Sequence, residues 1–168
     1  METIPYHDNI QKTIIKKYEK GIITMRTIRT LDLKDAKKAL QAMEKKAKEM
    51  SLNLCFCIVD SAANTIILER MDDSKLHSID LSRAKAFTAI SLKDSSGSAH
   101  KLVQDLGIDI SYWAGGVETG WKGGVPAFAP EDKETPIGAI GVSGGTEDQD
   151  EQIAIEGLKA MSFYKENL

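Results

Sequence analysis

Few residues of this chain carry evident chemistry, and they are scattered. The three histidines, His7, His77 and His100, share no H-x-x-x-H, HExxH or EF-hand spacing, so a structural zinc site is not indicated. His77 and His100 each stand where a helical stretch begins. An imidazole so placed can ligate a haem iron, and so can Met71, at the end of a β-rich run. The ordinary alternatives are solvated histidines and a core methionine. Lys85 lies among Ala84, Ala86, Phe87 and Ala89, with Thr88 beside it on the same helical stretch. A lysine on so apolar a segment either snorkels or pairs with a carboxylate such as Asp80. Lys85, Asp80 and Glu118 are also the groups that acid–base chemistry would draw on.

Other chemistries lack their residues. The turn Ser143-Gly144-Gly145-Thr146 follows an apolar run and opens a helix, which is where an anion can sit. Glu147, Asp148, Asp150 and Glu151 fill the first turn of that helix and neutralise the place, and no Lys-Ser or Lys-Thr pair follows. There is no G-x-S-x-G nucleophile elbow. Asp72 and Asp73 are adjacent and read as turn formers. Cys55 and Cys57 have neither the C-x-x-C nor the C-x-x-C-H spacing, and read as small buried hydrophobes.

The elements that must position these groups follow from hydropathy. Asp32 can cap a helix whose apolar stripe is Leu33, Ala36, Leu40, Met43, Ala47 and Met50. Residues 54–59 form an apolar run suited to a strand buried on both faces, and 65–71 a second strand across a hairpin. Residues 79–93 read as a helix with Ile79, Ala86, Phe87 and Ile90 inward. Ser95 or Ser96 opens a short helix that ends before Gly107. Residues 117–121, 125–128 and 137–142 are three further short strands, with a polar turn over 131–135. Thr146 and Gln149 form a capping box that opens a last helix. The order is α+β, with helices on an antiparallel sheet.

The chain has 168 residues, with 28% charged and 42% hydrophobic, which suits one globular domain and excludes disorder as its main state. Its net charge of −3 argues against nucleic-acid binding. No long apolar run or secretory segment is present, so membrane insertion is not expected and the cytoplasm is the default. Ten of the thirteen glycines lie between Gly107 and Gly145. Residues 1–30 carry a net +3 and the remainder −6. Within 1–24, Ile10, Ile14, Ile15 and Tyr18 share a helical face that needs a surface, on this chain, a second copy or another protein. We read 1–24 as an extension with a short amphipathic helix and 25–168 as a single domain, with Met25 an alternative start.

Five segments carry a resemblance. They are LDLKDAKKAL (31–40), the strand ending in Val59-Asp60, ERMDDSKLHSIDLSRAKAFTA (69–89), GGVP (123–126) and IGAIGVSGGTEDQDE (137–151). Together they resemble the GlcG/HbpS-like, haem-degrading family, related to the C-terminal domain of PduO-type proteins, over about 27–163. The resemblance implies a profilin-like five-stranded antiparallel sheet flanked by helices, and dimers or larger homo-oligomers. It implies a haem-binding protein that serves in haem handling or redox sensing, rather than an enzyme, with a cobalamin-type tetrapyrrole as the alternative cofactor. The second implied role is a non-catalytic accessory subunit for a corrinoid-dependent or glycyl-radical diol- or glycerol-processing system in a bacterial microcompartment. On the haem reading, the bare backbone of Gly123 and Gly124, continued by Val125 and Pro126, is expected to form the wall for a flat macrocycle. Thr88 is expected nearby, with His77, His100 or Met71 on the iron.

Overall fold

The computed structural model describes residues 27–161 apart from residue 113. The expected 1–24 helix and the Met25 start lie outside those residues. Among these residues there are four helices and four strands, with two short 3-10 turns at Ile110–Tyr112 and Ala114–Gly116.

Helix α1 (Leu33–Glu49) begins as expected, because the Asp32 carboxylate accepts the Asp35 backbone N–H at 2.8 Å. Its buried face is Ala36, Ala39, Met43 and Ala47. Leu33, expected inward, is the first residue of the helix and is 50% exposed. Strands β1 (Cys55–Asp60) and β2 (Thr65–Arg70) form the predicted hairpin. Asp60 closes its turn by accepting the backbone N–H groups of Ala62 and Asn64. Strands β3 (Gly124–Ala129) and β4 (Asp132–Ser143) form the second hairpin. The sheet runs β2-β1-β4-β3, antiparallel throughout.

Each sheet face is covered. Phe56 and Ile58 of β1 and Ile140 and Val142 of β4 meet α1 and helix α4 (Glu147–Ala160) in the main core. The alternate residues Cys57, Val59 and Ala139 face helix α2 (Ser78–Leu92) in a smaller cluster. Helix α3 (Ser98–Leu106) lies at one side and ends on Gly107 in the left-handed region. The capping box of α4 forms as predicted, with reciprocal Thr146 and Gln149 bonds. Among the described residues, no helix is long and apolar enough to cross a membrane.

Two larger expectations also change. Among the described residues the sheet has four strands, not five, because 117–121 enters no ladder. There the Thr119 N–H donates to the Thr88 hydroxyl, and the Trp121 carbonyl accepts from Ser96, so side chains replace strand partners. The inner face of α2 also differs. It is Ser78, Ser82, Lys85, Ala86, Thr88 and Ala89, while Ile79 and Phe87 are only half-buried. Small residues prevail because α2 lies almost on the sheet backbone. A Cβ added at Gly141 would stand 2.0 Å from the Ser82 carbonyl oxygen, and one at Gly124 would stand 2.1 Å from that of Lys85. Gly124 and Gly141 are direct partners across β3 and β4. The paired glycines form a slot for the helix.

Candidate functional site

The close seat of α2 sends the Lys85 side chain beneath the sheet end toward α4. Its ammonium donates to Asp150 Oδ2 at 2.7 Å and to the Val142 carbonyl at 2.9 Å. Both side chains of the pair are nearly fully buried. Asp150 also accepts the Gly145 N–H at 2.9 Å, which ties the glycine turn to the pair. Burial pulls the Lys85 pKa below the ordinary lysine value, and the Asp150 charge and hydrogen bond pull it back only in part. Gly123, at φ +112, leaves room for this arrangement, since a Cβ there would meet Asp150 Cβ at 2.7 Å and Lys85 Nζ at 3.0 Å.

Lys85 therefore pairs with Asp150, not with Asp80. Asp80 sits on the outer side of α2, its side chain 89% exposed and 3.7 Å from Arg83. Asp80 and Arg83 border a cleft of about 470 Å³ that is otherwise walled by groups such as Cys57, Val59 and Phe87.

Two other clefts flank Trp121, which is 58% exposed and lines both, as does Glu147. The larger, about 640 Å³, lies between α3 and 118–122. His100 stands on its wall with Val103, Ile108, Ile110 and Trp121, and Glu118, Asp109, Lys122 and Glu147 supply charge. The His100 ring shares a 3.0 Å hydrogen bond with Gln104 one turn along α3. Lys122 is turned toward Asp148, at 2.9 Å, and that contact raises its pKa. The smaller, about 420 Å³, is lined by His77, Lys75, Lys85 and the turn Ser143-Gly144-Gly145-Thr146. His77 is exposed at the start of α2 and makes no capping bond.

The two histidines thus lie on different clefts. Met71 lines neither and packs half-buried against the main core, its N–H bonded to the Leu54 carbonyl. Thr88 is buried, donates to the Ala84 carbonyl and holds Thr119, so it braces the segment carrying Glu118 and Trp121. Gly123 and Gly124 offer no open wall, because Asp150 and the α2 backbone fill the space a macrocycle would need. Val125 is buried in the main core and Pro126 is half-buried on β3.

Asp150, Trp121 and Ser96 escaped sequence reasoning as site-building residues. Ser96 holds two backbones at once, accepting the Gly124 N–H at 2.9 Å and donating to the Trp121 carbonyl at 2.7 Å. For Asp150 a signal existed: a lysine on the sheet-facing side of an apolar helix demands a buried carboxylate. Glu118 is 6% exposed, and its Oε1 has no hydrogen-bond partner among the described residues. Among those residues no cluster of three or more His, Cys, Asp or Glu is poised to hold a metal ion.

Comparison with known proteins places this architecture. The family model for haem-degrading HbpS-like proteins matches residues 31–159. An uncharacterised 15.0 kDa protein from the dhaT–dhaS intergenic region of Citrobacter freundii is 37% identical over 73% of this chain and 85% of its own. The corrinoid adenosyltransferase PduO of Citrobacter freundii is 28% identical over 93% of this chain, which spans only 48% of that protein. Among solved structures, Klebsiella pneumoniae ORFY superposes with a TM-score of 0.76 at 32% identity, covering 85% of this chain and 98% of its own. A PduOC–haem complex superposes at 0.72 with 25% identity, covering 80% and 97%. The chain belongs to the HbpS-like family of haem-degrading proteins.

Proposed function

We propose that this protein binds haem in the larger cleft, with His100 as the iron ligand. The observation that carries the reading is His100 on the wall of a 640 Å³ cleft whose other faces include Val103, Ile108, Ile110 and the exposed Trp121. A flat apolar macrocycle needs such walls, and its iron needs an imidazole. The smaller cleft offers His77 instead, among mostly polar groups. The residues present fit the group on one condition. Asp109, Glu118 and Glu147 repel carboxylates, so the haem propionates must face solvent at the mouth. Bound haem would supply the redox and axial-ligand chemistry, and the chain would supply the imidazole, the apolar walls and partial exclusion of water. The similarity to a PduOC–haem complex supports the same reading.

The finer expectations go with it: a profilin-like homo-oligomer in the cytoplasm, serving haem handling or redox sensing. A second reading, an accessory subunit for a corrinoid-dependent diol- or glycerol-processing system within a microcompartment, draws on the match to PduO over 93% of the chain. Hemin titration of the purified protein tests the first reading. A Soret shift is expected that His100→Ala abolishes and His77→Ala leaves in place. Identical spectra for wild type and His100→Ala would reject His100 as the ligand.

A further inference from the structure

Glu118 is the residue whose chemistry is unfinished. Its side chain is buried at 6% exposure and lines the larger cleft, and Oε1 accepts no hydrogen bond among the described residues. A buried carboxylate oxygen without a donor is costly, and protein folds seldom leave one so. As placed, no described residue of the lining donates to that oxygen. Asp109 and Glu147 are acceptors. Lys122 is committed to Asp148 at 2.9 Å, with Glu151 at 4.0 Å. The backbone cannot swing Glu118 elsewhere freely, because the adjoining Thr119 N–H is held by the buried Thr88 hydroxyl. That leaves Glu118 Oε1 an acceptor that a ligand's donor can satisfy.

The haem macrocycle offers no N–H donor. Its four ring nitrogens are bound to iron, and its ionised outer carboxylates accept. An open-chain tetrapyrrole differs: its pyrrole N–H groups are free, and protonation of its pyrrolic core places a positive charge beside them. A carboxylate is a strong acceptor for such donors. The geometry points to a second specificity in this cleft, for an iron-free, open-chain tetrapyrrole whose pyrrole N–H groups bond to Glu118. This inference rests on the tetrapyrrole reading of the cleft. His100 then recognises iron and Glu118 recognises N–H, while Trp121 offers its exposed ring to the flat pyrroles of either ligand.

The test is a pair of absorbance titrations, hemin and biliverdin, on the full chain, with folding checked by circular dichroism. Glu118→Gln keeps the shape and removes the charge, and Glu118→Leu removes the acceptor. Both are expected to weaken biliverdin at least tenfold, the usual worth of a charge-assisted hydrogen bond, and not to weaken hemin. His100→Ala is expected to do the reverse. Biliverdin affinity within threefold of wild type in both folded Glu118 variants would overturn the assignment, as would hemin binding without any biliverdin binding. If neither compound binds the wild type, the tetrapyrrole reading of the cleft falls first and this inference with it.

Discussion

Removing one member of the Lys85–Asp150 pair is expected to destabilise the fold more than any single surface change. The two groups stand 2.7 Å apart at 2% and 3% side-chain exposure. At an effective dielectric near 20, their gross attraction is about 6 kcal/mol. Desolvation of the two ions offsets most of that, so the intact pair contributes little net stability. The asymmetry appears when one partner goes. With Asp150→Ala, the Lys85 ammonium keeps only the Val142 carbonyl and the Gly145 N–H loses its acceptor. With Lys85→Met, the Asp150 carboxylate keeps only that N–H. Each single change is expected to cost about 3–5 kcal/mol. The combined Lys85→Met/Asp150→Leu change should cost well below the sum, because no lone charge remains.

Urea unfolding followed by circular dichroism reads this directly. With an m-value of about 2 kcal/mol/M, a loss of 4 kcal/mol lowers the midpoint by about 2 M. A single variant costing under about 1 kcal/mol, or a double variant matching the sum of the singles within about 0.5 kcal/mol, would refute the argument. A pH series adds a sign. Since burial depresses the folded pKa of Lys85, the unfolded chain binds the extra proton in the window below the ordinary lysine value. The contribution of Lys85 to stability therefore rises with pH through that window and is lost as pH falls through the depressed pKa. Lys85→Met should lack that rise, and an unchanged slope would count against it.

Two further outcomes follow from packing. Burial raises the Cys57 pKa from 9.0 to about 11, so its contribution to stability is complete below pH 9 and is lost as pH rises toward 11, a difference of about 2–3 kcal/mol; the urea midpoints at pH 8 and pH 11 should lie closer together in Cys57→Ala than in the unaltered protein, and an equal gap would show that the thiol does not titrate this way. Gly141→Ala drives a Cβ to 2.0 Å from a helix backbone oxygen, whereas Gly107→Ala meets open space at φ +65; thermal melts should show a loss of at least 3 kcal/mol for the first and about 1–2 kcal/mol for the second, and the reverse order would contradict the slot described for α2.

Much of the fold was legible in periodicity and caps. The Asp32 cap, the capping box at Thr146 and the doubly buried β1 are local features, encoded within a few residues of where they act. The segment 117–121 was not legible as irregular backbone. Val117, Thr119 and Trp121 alternate as β-formers and look like a strand, but the distant hydroxyls of Thr88 and Ser96 hold this backbone instead. Nor could spacing reveal that His77 and His100 occupy different clefts, since that depends on where Trp121 stands between them. Asp80 was the nearest carboxylate to Lys85 in sequence, but a residue five positions earlier on a helix lies well over one turn away and on another face.

The glycine-rich zone shows how local composition becomes a site at a distance. Glycine at 124 and 141 removes the side chains that would hold α2 off the sheet, so the helix backbone settles against β3 and β4. That depth brings Lys85 within 2.7 Å of Asp150, and Asp150 in turn fastens the turn at Gly145. It also carries Thr88 far enough inward to take the Thr119 N–H at 2.9 Å. Glu118 and Trp121 then line a cleft on the far side of that brace from α2, opposite His100 on α3. A larger residue at either glycine would therefore disturb the cleft without touching it, by lifting the helix on which the brace depends. The glycines act on the cleft through the helix they admit, and not by lining it.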